Sequence, residues 1–275
     1  MAPGFVHPEV WRSSWLGYCL WFLGYPDQAL AREQQAVACA EATGDRGSIY
    51  FALAVETAVL LHRGEGAAAQ ESLHAALQTG NPVTTDFLNL AISYFQGWSL
   101  VQIGQLEEGL AQLDRVTSAA RSSPVRLDWT KFLATVAWAS LRSGRIERAA
   151  ASVREALDAA ASLGEHYYEP ELHRLQGEVR LAAGAEADAE LSFEEALHIA
   201  RKQNAKSWEL RTTMSLARLW AAKGRKDEAH AALSAVYAWF TEGFTTPDLQ
   251  AANRLLRELA QSGNTPLTVL APRET

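Results

Sequence analysis

The amino-acid sequence predicts an all-α fold, a right-handed α-solenoid of about six helix–turn–helix units with a closing helix, and three observations predict it. Glycines recur at Gly24, Gly64, Gly104, Gly144, Gly184 and Gly224, a constant 40 residues apart. A fixed period of this length marks a stacked repeat. Small residues keep step with that glycine: Gly17, Thr57, Gly97, Ala137, Gly177 and Ala217 stand seven before it, and Ala29, Ala69, Gly109, Ala149, Ala189 and Ala229 five after it. Apolar residues keep step as well, and the offsets +5, +9, +12 and +16 fall on one face of a 3.6-residue helix.

Each element follows from this frame. A glycine that ends one apolar stretch and precedes a charged or Pro-containing one suits the left-handed residue just past a helix. The predicted pairs are 8–23 with 26–42, 46–63 with 66–79, 83–103 with 105–121, 125–143 with 145–163, 166–183 with 185–203, and 206–223 with 225–240. Pro26, Pro82 and Pro124 fall near helix starts, where a missing N–H costs little. Small residues at −7, +5 and +12 let the two helices of a pair approach closely. At +9 stand Glu33, Leu73, Leu113, Val153, Phe193 and Leu233, and at −3 Trp21, Leu61, Val101, Leu141, Leu181 and Ala221. These are the expected core, with Glu33 the odd member. A last helix, 247–261, rich in Arg and Glu, reads as a cap with one solvated face. Residues 8–262 are thus expected to form one superhelical domain, with 263–275 a disordered tail.

Composition bounds the function. With 275 residues, 48% of them hydrophobic, the chain can bury a core without disulfides or metals. A formal net charge of −7 argues against a phosphate-binding surface, because nonspecific nucleic-acid affinity needs clustered Lys and Arg. The two cysteines, Cys19 and Cys39, lie in apolar helical segments and are expected as reduced, buried thiols. No apolar run approaches the roughly 20 residues a bilayer demands, and the N-terminus lacks the basic and apolar regions of a signal peptide. A soluble, cytoplasmic protein is expected, without membrane or nucleic-acid partners.

The pattern small–Gly–small–bulky–small at −7, 0, +5, +9 and +12, clear in GWSLVQIGQLEEGLAQLDRV, resembles the tetratricopeptide signature with about six extra residues between units. The stretches YYEPELHRLQGEVRLAAG, AKSWELRTTMSLARLWAAKGRKDEA and VYAWFTEGFTTPDLQAANRLLREL resemble the C-terminal repeat arm of large bacterial signalling proteins, the predicted STAND-type ATPases and adenylate-cyclase-linked regulators. The resemblance runs from WFLGYPDQAL to LLREL and implies a sensor or docking arm attached to a nucleotide-dependent switch. Those proteins carry a phosphate-binding loop or cyclase domain; no G-x-x-x-x-G-K-[ST] occurs here, so the chain is expected to work without an NTPase of its own.

Catalysis finds no support: the histidines are scattered and no Ser or Cys sits in a nucleophile motif. The polar cluster EHYYEPELH, from Glu165 to His173, reads as a solvated or helix-capping stretch in preference to a metal site, and GDRGS at 44–48 as an inter-repeat turn in preference to a phosphate cradle. No cofactor is expected. The first helix of each pair should line the concave face, where offsets −13, −10, −6 and −2 form a stripe. Its first rungs are aromatic and its later ones charged. The binding residues expected from it are Trp11, Tyr18, Phe22, Tyr94, Trp98, Trp138, Arg142, Arg174, Glu178, Arg211 and Arg218, since Trp, Tyr and Arg dominate binding hot spots. Trp15 and Trp129 lie off the stripe and read as packing. The expected function is a non-catalytic scaffold for a protein or peptide, with a small-molecule inducer sensor or a self-assembly module as alternatives.

Overall fold

The computed structural model describes residues 6–80, 86–122 and 128–261. Among them are thirteen α-helices and no strand: α1 (Pro8–Phe22), α2 (Pro26–Thr43), α3 (Arg46–Arg63), α4 (Gly66–Thr79), α5 (Asp86–Gln102), α6 (Leu106–Arg121), α7 (Trp129–Arg142), α8 (Ile146–Leu163), α9 (Glu169–Ala182), α10 (Glu186–Lys202), α11 (Lys206–Ala222), α12 (Lys226–Tyr237) and α13 (Pro247–Gln261). A single 3-10 turn, His166–Tyr168, leads into α9. This is the all-α solenoid expected, with six pairs and a closing helix. Pro82, Pro124, the expected helix starts at 83 and 125, and the tail 263–275 lie outside the described residues.

The six ruler glycines all have positive φ, from 70° at Gly144 to 93° at Gly24. Each closes its helix in the same way. At Gly144, its N–H donates to Leu141 O at 3.0 Å and the next N–H, of Arg145, reaches back to Ser140 O at 2.9 Å, which satisfies carbonyls the helix end would otherwise orphan. The opposite turn also places a left-handed residue, at Gly44, Gly164 and Asn204. At Asn204 the same pair of hydrogen bonds recurs, from its N–H to Arg201 O at 3.1 Å and from Ala205 N to Ala200 O at 2.8 Å, Asn being a side chain that tolerates this conformation.

The small residues sit where helices of a pair cross. Ala29, Ala69, Ala149, Ala189 and Ala229 are all fully buried. At Gly177 a Cβ would stand 2.4 Å from the Phe193 ring, so α9 and α10 approach at a distance only glycine permits. Leu73, Leu113, Val153, Phe193 and Leu233 fill the seam between them. In the first pair Glu33 takes that place, fully buried, with neither carboxylate oxygen hydrogen-bonded.

The stack turns far enough that its first unit meets its last. Ser207 Oγ donates to Trp21 O at 2.5 Å, and the Trp21 and Trp208 rings meet edge to face at 5.0 Å. The Glu242 carboxylate accepts from Asp27 N and Gln28 N, both at 3.0 Å. It thereby supplies from 214 residues away the side-chain cap that α2 lacks locally. Asp27 returns the contact by accepting from Gly243 N at 2.8 Å.

One expectation fails. Cys19 is exposed and Cys39 only half-buried, both as free thiols. No described helix is long and apolar enough to cross a membrane.

Candidate functional site: a groove inside the superhelix

Closure of the stack crowds the concave side, and the aromatic rungs fill it. The centre is His62, fully buried, with ring centroids of Trp21, Trp98, Tyr18 and Phe22 at 4.7, 4.9, 5.3 and 5.4 Å. Its Nδ1 lies 2.7 Å from Ala58 O. A carbonyl only accepts, so Nδ1 carries the proton, and Nε2 accepts from the Tyr168 hydroxyl at 3.2 Å. Burial, then Lys131 and Arg211, hold the His62 pKa well below the usual imidazole value. Burial likewise raises Tyr168, so the pair stays neutral.

Beside this plug a groove of about 350 Å³ remains open, within the ~300–1,000 Å³ typical of ligand sites. It is lined from α5 by Trp98 and Gln102, from α7 by Ala134, Thr135, Trp138 and Arg142, and from Tyr168 and α9 by Glu171 and Arg174. From α11 come Arg211, Met214, Ser215 and Arg218, and Gly64, Pro247, Asp248 and Ala251 complete it. Small residues on facing helices leave the space; charged ones rim it.

The charges form a pattern. Glu171 holds Arg174 bidentately at 2.7 Å, and Glu178 adds a contact at 3.2 Å. Burial would lower the Arg174 pKa, but Glu171 and Glu178 raise it. Arg211 pairs with Asp248 at 2.7 Å and donates to His62 O at 2.7 Å, lying 5.0 and 5.2 Å from the Trp21 and Trp208 rings. Arg142 stacks 5.1 Å from the Trp138 ring and donates to Val101 O at 3.3 Å.

Of the residues expected from the stripe, the groove gathers Trp98, Trp138, Arg142, Arg174, Arg211 and Arg218, with Glu178 bound to Arg174 and to Ser215, whose hydroxyl donates at 2.6 Å. The others lie elsewhere. Tyr94 is fully buried, stacked on Phe132 at 4.1 Å with its hydroxyl 2.6 Å from Thr135 Oγ1. Phe22 belongs to the His62 cluster. Trp11, half exposed, stacks on Phe51 at 5.0 Å, outside the groove. Tyr18 lines a smaller apolar cavity of about 60 Å³ with Trp15, Phe51, Phe95 and Lys131. Trp129 is buried as packing.

Tyr168, Pro247, Asp248 and Ala251 line the groove without having been singled out. Tyr168 precedes its helix, and α13 reads in sequence only as a cap. In EHYYEPELH, Glu165 caps α7, accepting from Asp128 N at 2.7 Å and Thr130 N at 3.1 Å. No group of three or more His, Cys, Asp or Glu among the described residues is placed to hold a metal.

No protein-family model matches the sequence, and no curated protein does. Solved structures share its fold. A Rap protein complexed with competence and sporulation factor superposes with a TM-score of 0.68 at 15% identity, over 93% of this chain and 72% of that one. The apo form of RapI gives 0.55 at 12% identity over the same shares. BtubC from P. vanneervenii gives 0.53 at 14%, over 98% and 97%. The repeat region is therefore tetratricopeptide-like in architecture.

Proposed function

We propose that this protein is a non-catalytic binding scaffold for a protein or peptide, that residues 8–262 act as one superhelical domain, and that the groove is the site. The observation that carries this reading is the arrangement itself: a preformed hollow of about 350 Å³ in which Trp138 and Met214 offer apolar contact among four guanidinium groups, the residue types that anchor interfaces. The solved structure of similar fold in complex with competence and sporulation factor supports a role in recognition. The resemblance to repeat arms of bacterial signalling proteins supports a regulatory one, in the cytoplasm. Within the groove Trp98, Arg174 and Arg211 shape the wall, with Glu178 holding Arg174 and Ser215 in place, while Trp138, Arg142 and Arg218 face an occupant. Tyr18, Phe22 and Tyr94 hold the wall from behind, and Trp11 lies on the rim of the superhelix.

The test is capture of partners from lysate by the immobilised chain. Trp138→Ala, at a half-buried indole, should reduce recovery of a specific partner at least tenfold with helicity unchanged. Equal recovery by both proteins rejects the groove as the site. A small-molecule inducer is the second reading, favoured by the enclosure of Trp98, Tyr168 and Arg174 in one hollow. A metabolite that raises the melting temperature of wild type but not of Trp138→Ala decides for it.

A further inference from the structure

Four guanidinium groups line the groove, and the structure divides them by what they already hold. Arg174 is committed to Glu171 and Glu178, and Arg211 to Asp248 and the His62 carbonyl. These two are internal struts. Arg142 is exposed; its bonds are one long contact to a carbonyl, at 3.3 Å, and the stack on Trp138. Arg218 is also exposed and makes no hydrogen bond, ion pair or ring contact within the described residues. In a chain of formal net charge −7, two arginines without carboxylates at one hollow depart from the surrounding field.

Their surroundings repeat. Arg142 follows Trp138 by four residues on α7, and Arg218 follows Met214 by four on α11, so each cation stands one turn above an apolar side chain on the same helix face. The Trp138 ring beneath Arg142 gives its guanidinium a surface to lie on, so less side-chain entropy remains to be lost when its free N–H groups meet an acceptor. Between the two helices α9 presents carboxylates already occupied by Arg174, leaving the outer cations uncompensated.

We propose that the groove recognises a peptide bearing a carboxylate next to a bulky apolar side chain, with Arg142 and Arg218 reading the anionic group and Trp138 and Met214 the apolar one. This rests on the peptide-binding reading above. A carboxylate supplies the planar acceptor pair that a guanidinium fork matches. The source is either a peptide C-terminus or an Asp or Glu side chain.

The experiment uses the full chain, immobilised, and positional-scanning hexapeptide pools synthesised once as free acids and once as C-terminal amides. Retained peptides rich in acidic residues beside Leu, Met or Phe are expected. Retention confined to the free-acid pool assigns the C-terminus; equal retention in both pools, with Asp or Glu at one position, assigns the side chain. For a retained acidic peptide, Arg142→Gln and Arg218→Gln should each weaken binding about tenfold or more and reduce its loss in added salt. The same peptide with its carboxylate made an amide should be insensitive to both substitutions. Neither arginine carries an ion pair among the described residues, so the melting temperatures should match wild type. Peptides retained without acidic preference, or affinities unmoved in both variants, overturn this inference and leave peptide binding standing. No retained peptide overturns both.

Discussion

Glu33 places a carboxylic acid where the five other units put Leu, Val or Phe, and its ionisation should be measurable as stability. Burial pushes its pKa up from 4.5 to about 9, and the Glu56 carboxylate adds to the rise. Because the folded value exceeds the unfolded one, the folded state binds the extra proton. Its ionisation costs nothing well below pH 4.5, and stability falls as pH climbs from there toward 9. At pH 7 the chain has crossed about 2.5 pH units of that window, and at ~1.36 kcal/mol per unit the cost is about 3 kcal/mol. At pH 5 it is below about 1 kcal/mol. Glu33→Gln keeps the shape and abolishes the titration. Urea unfolding followed by helical circular dichroism and tryptophan fluorescence should show the variant's advantage growing by about 2 kcal/mol or more from pH 5 to pH 7. An advantage equal at the two pH values refutes the reasoning and implies that Glu33 is ionised and solvated in the folded chain.

Three further outcomes test other parts of the structure. Gly144→Ala should cost about 1 kcal/mol from positive φ alone, since nothing lies within 4 Å of a Cβ there. Gly24→Ala should cost at least twice that, because its Cβ would stand 2.6 Å from the Trp239 ring and 2.7 Å from Lys206 Cβ; equal urea midpoints for the two variants contradict this. Glu242→Ala removes the cap of α2 and should cost about 1 kcal/mol, with faster hydrogen exchange at the Asp27 and Gln28 amides than in wild type. Arg174→Ala leaves Glu171 buried and unpaired and should cost about 3–5 kcal/mol, whereas Arg142→Ala should change stability by under about 0.5 kcal/mol. Thermal unfolding of both variants compares them directly.

The helices and turns were legible because they rest on local chemistry. A glycine at positive φ, a small residue at a crossing and an apolar face are each decided within a few residues. Repetition through six units let weak signals reinforce one another, so boundaries in the described regions match within about four residues even where Phe193 or Gly109 departs from the consensus of its column. The stripe was legible as a list of residues facing inward, and six of its eleven members line one groove. What could not be read was the curvature. Whether α1 meets α11 depends on small rotations accumulated over six units, and no single residue announces them. That is why Tyr94 is enclosed by its neighbours and why Asp248, on a helix read only as a cap, reaches the site.

Curvature also explains why one face yields both a plug and a hollow. When a coil of helix pairs closes on itself, its bore narrows to the width of the side chains that point inward, and their size then decides whether anything else fits. The first half of the stripe points Tyr18, Phe22, His62 and Trp98 into that space, and they meet each other. The later half points Ala134, Met214 and long arginines into it, and the arginines turn toward carboxylates, aromatic faces or solvent. Gly64 contributes at the same level because Pro247 packs over it, 3.1 Å from where a Cβ would be. The groove is thus a consequence of closure combined with an uneven distribution of side-chain volume, and loosening the contact between first and last units should widen it. Glu242 and Asp27, though outside the hollow, therefore belong to what sets its dimensions.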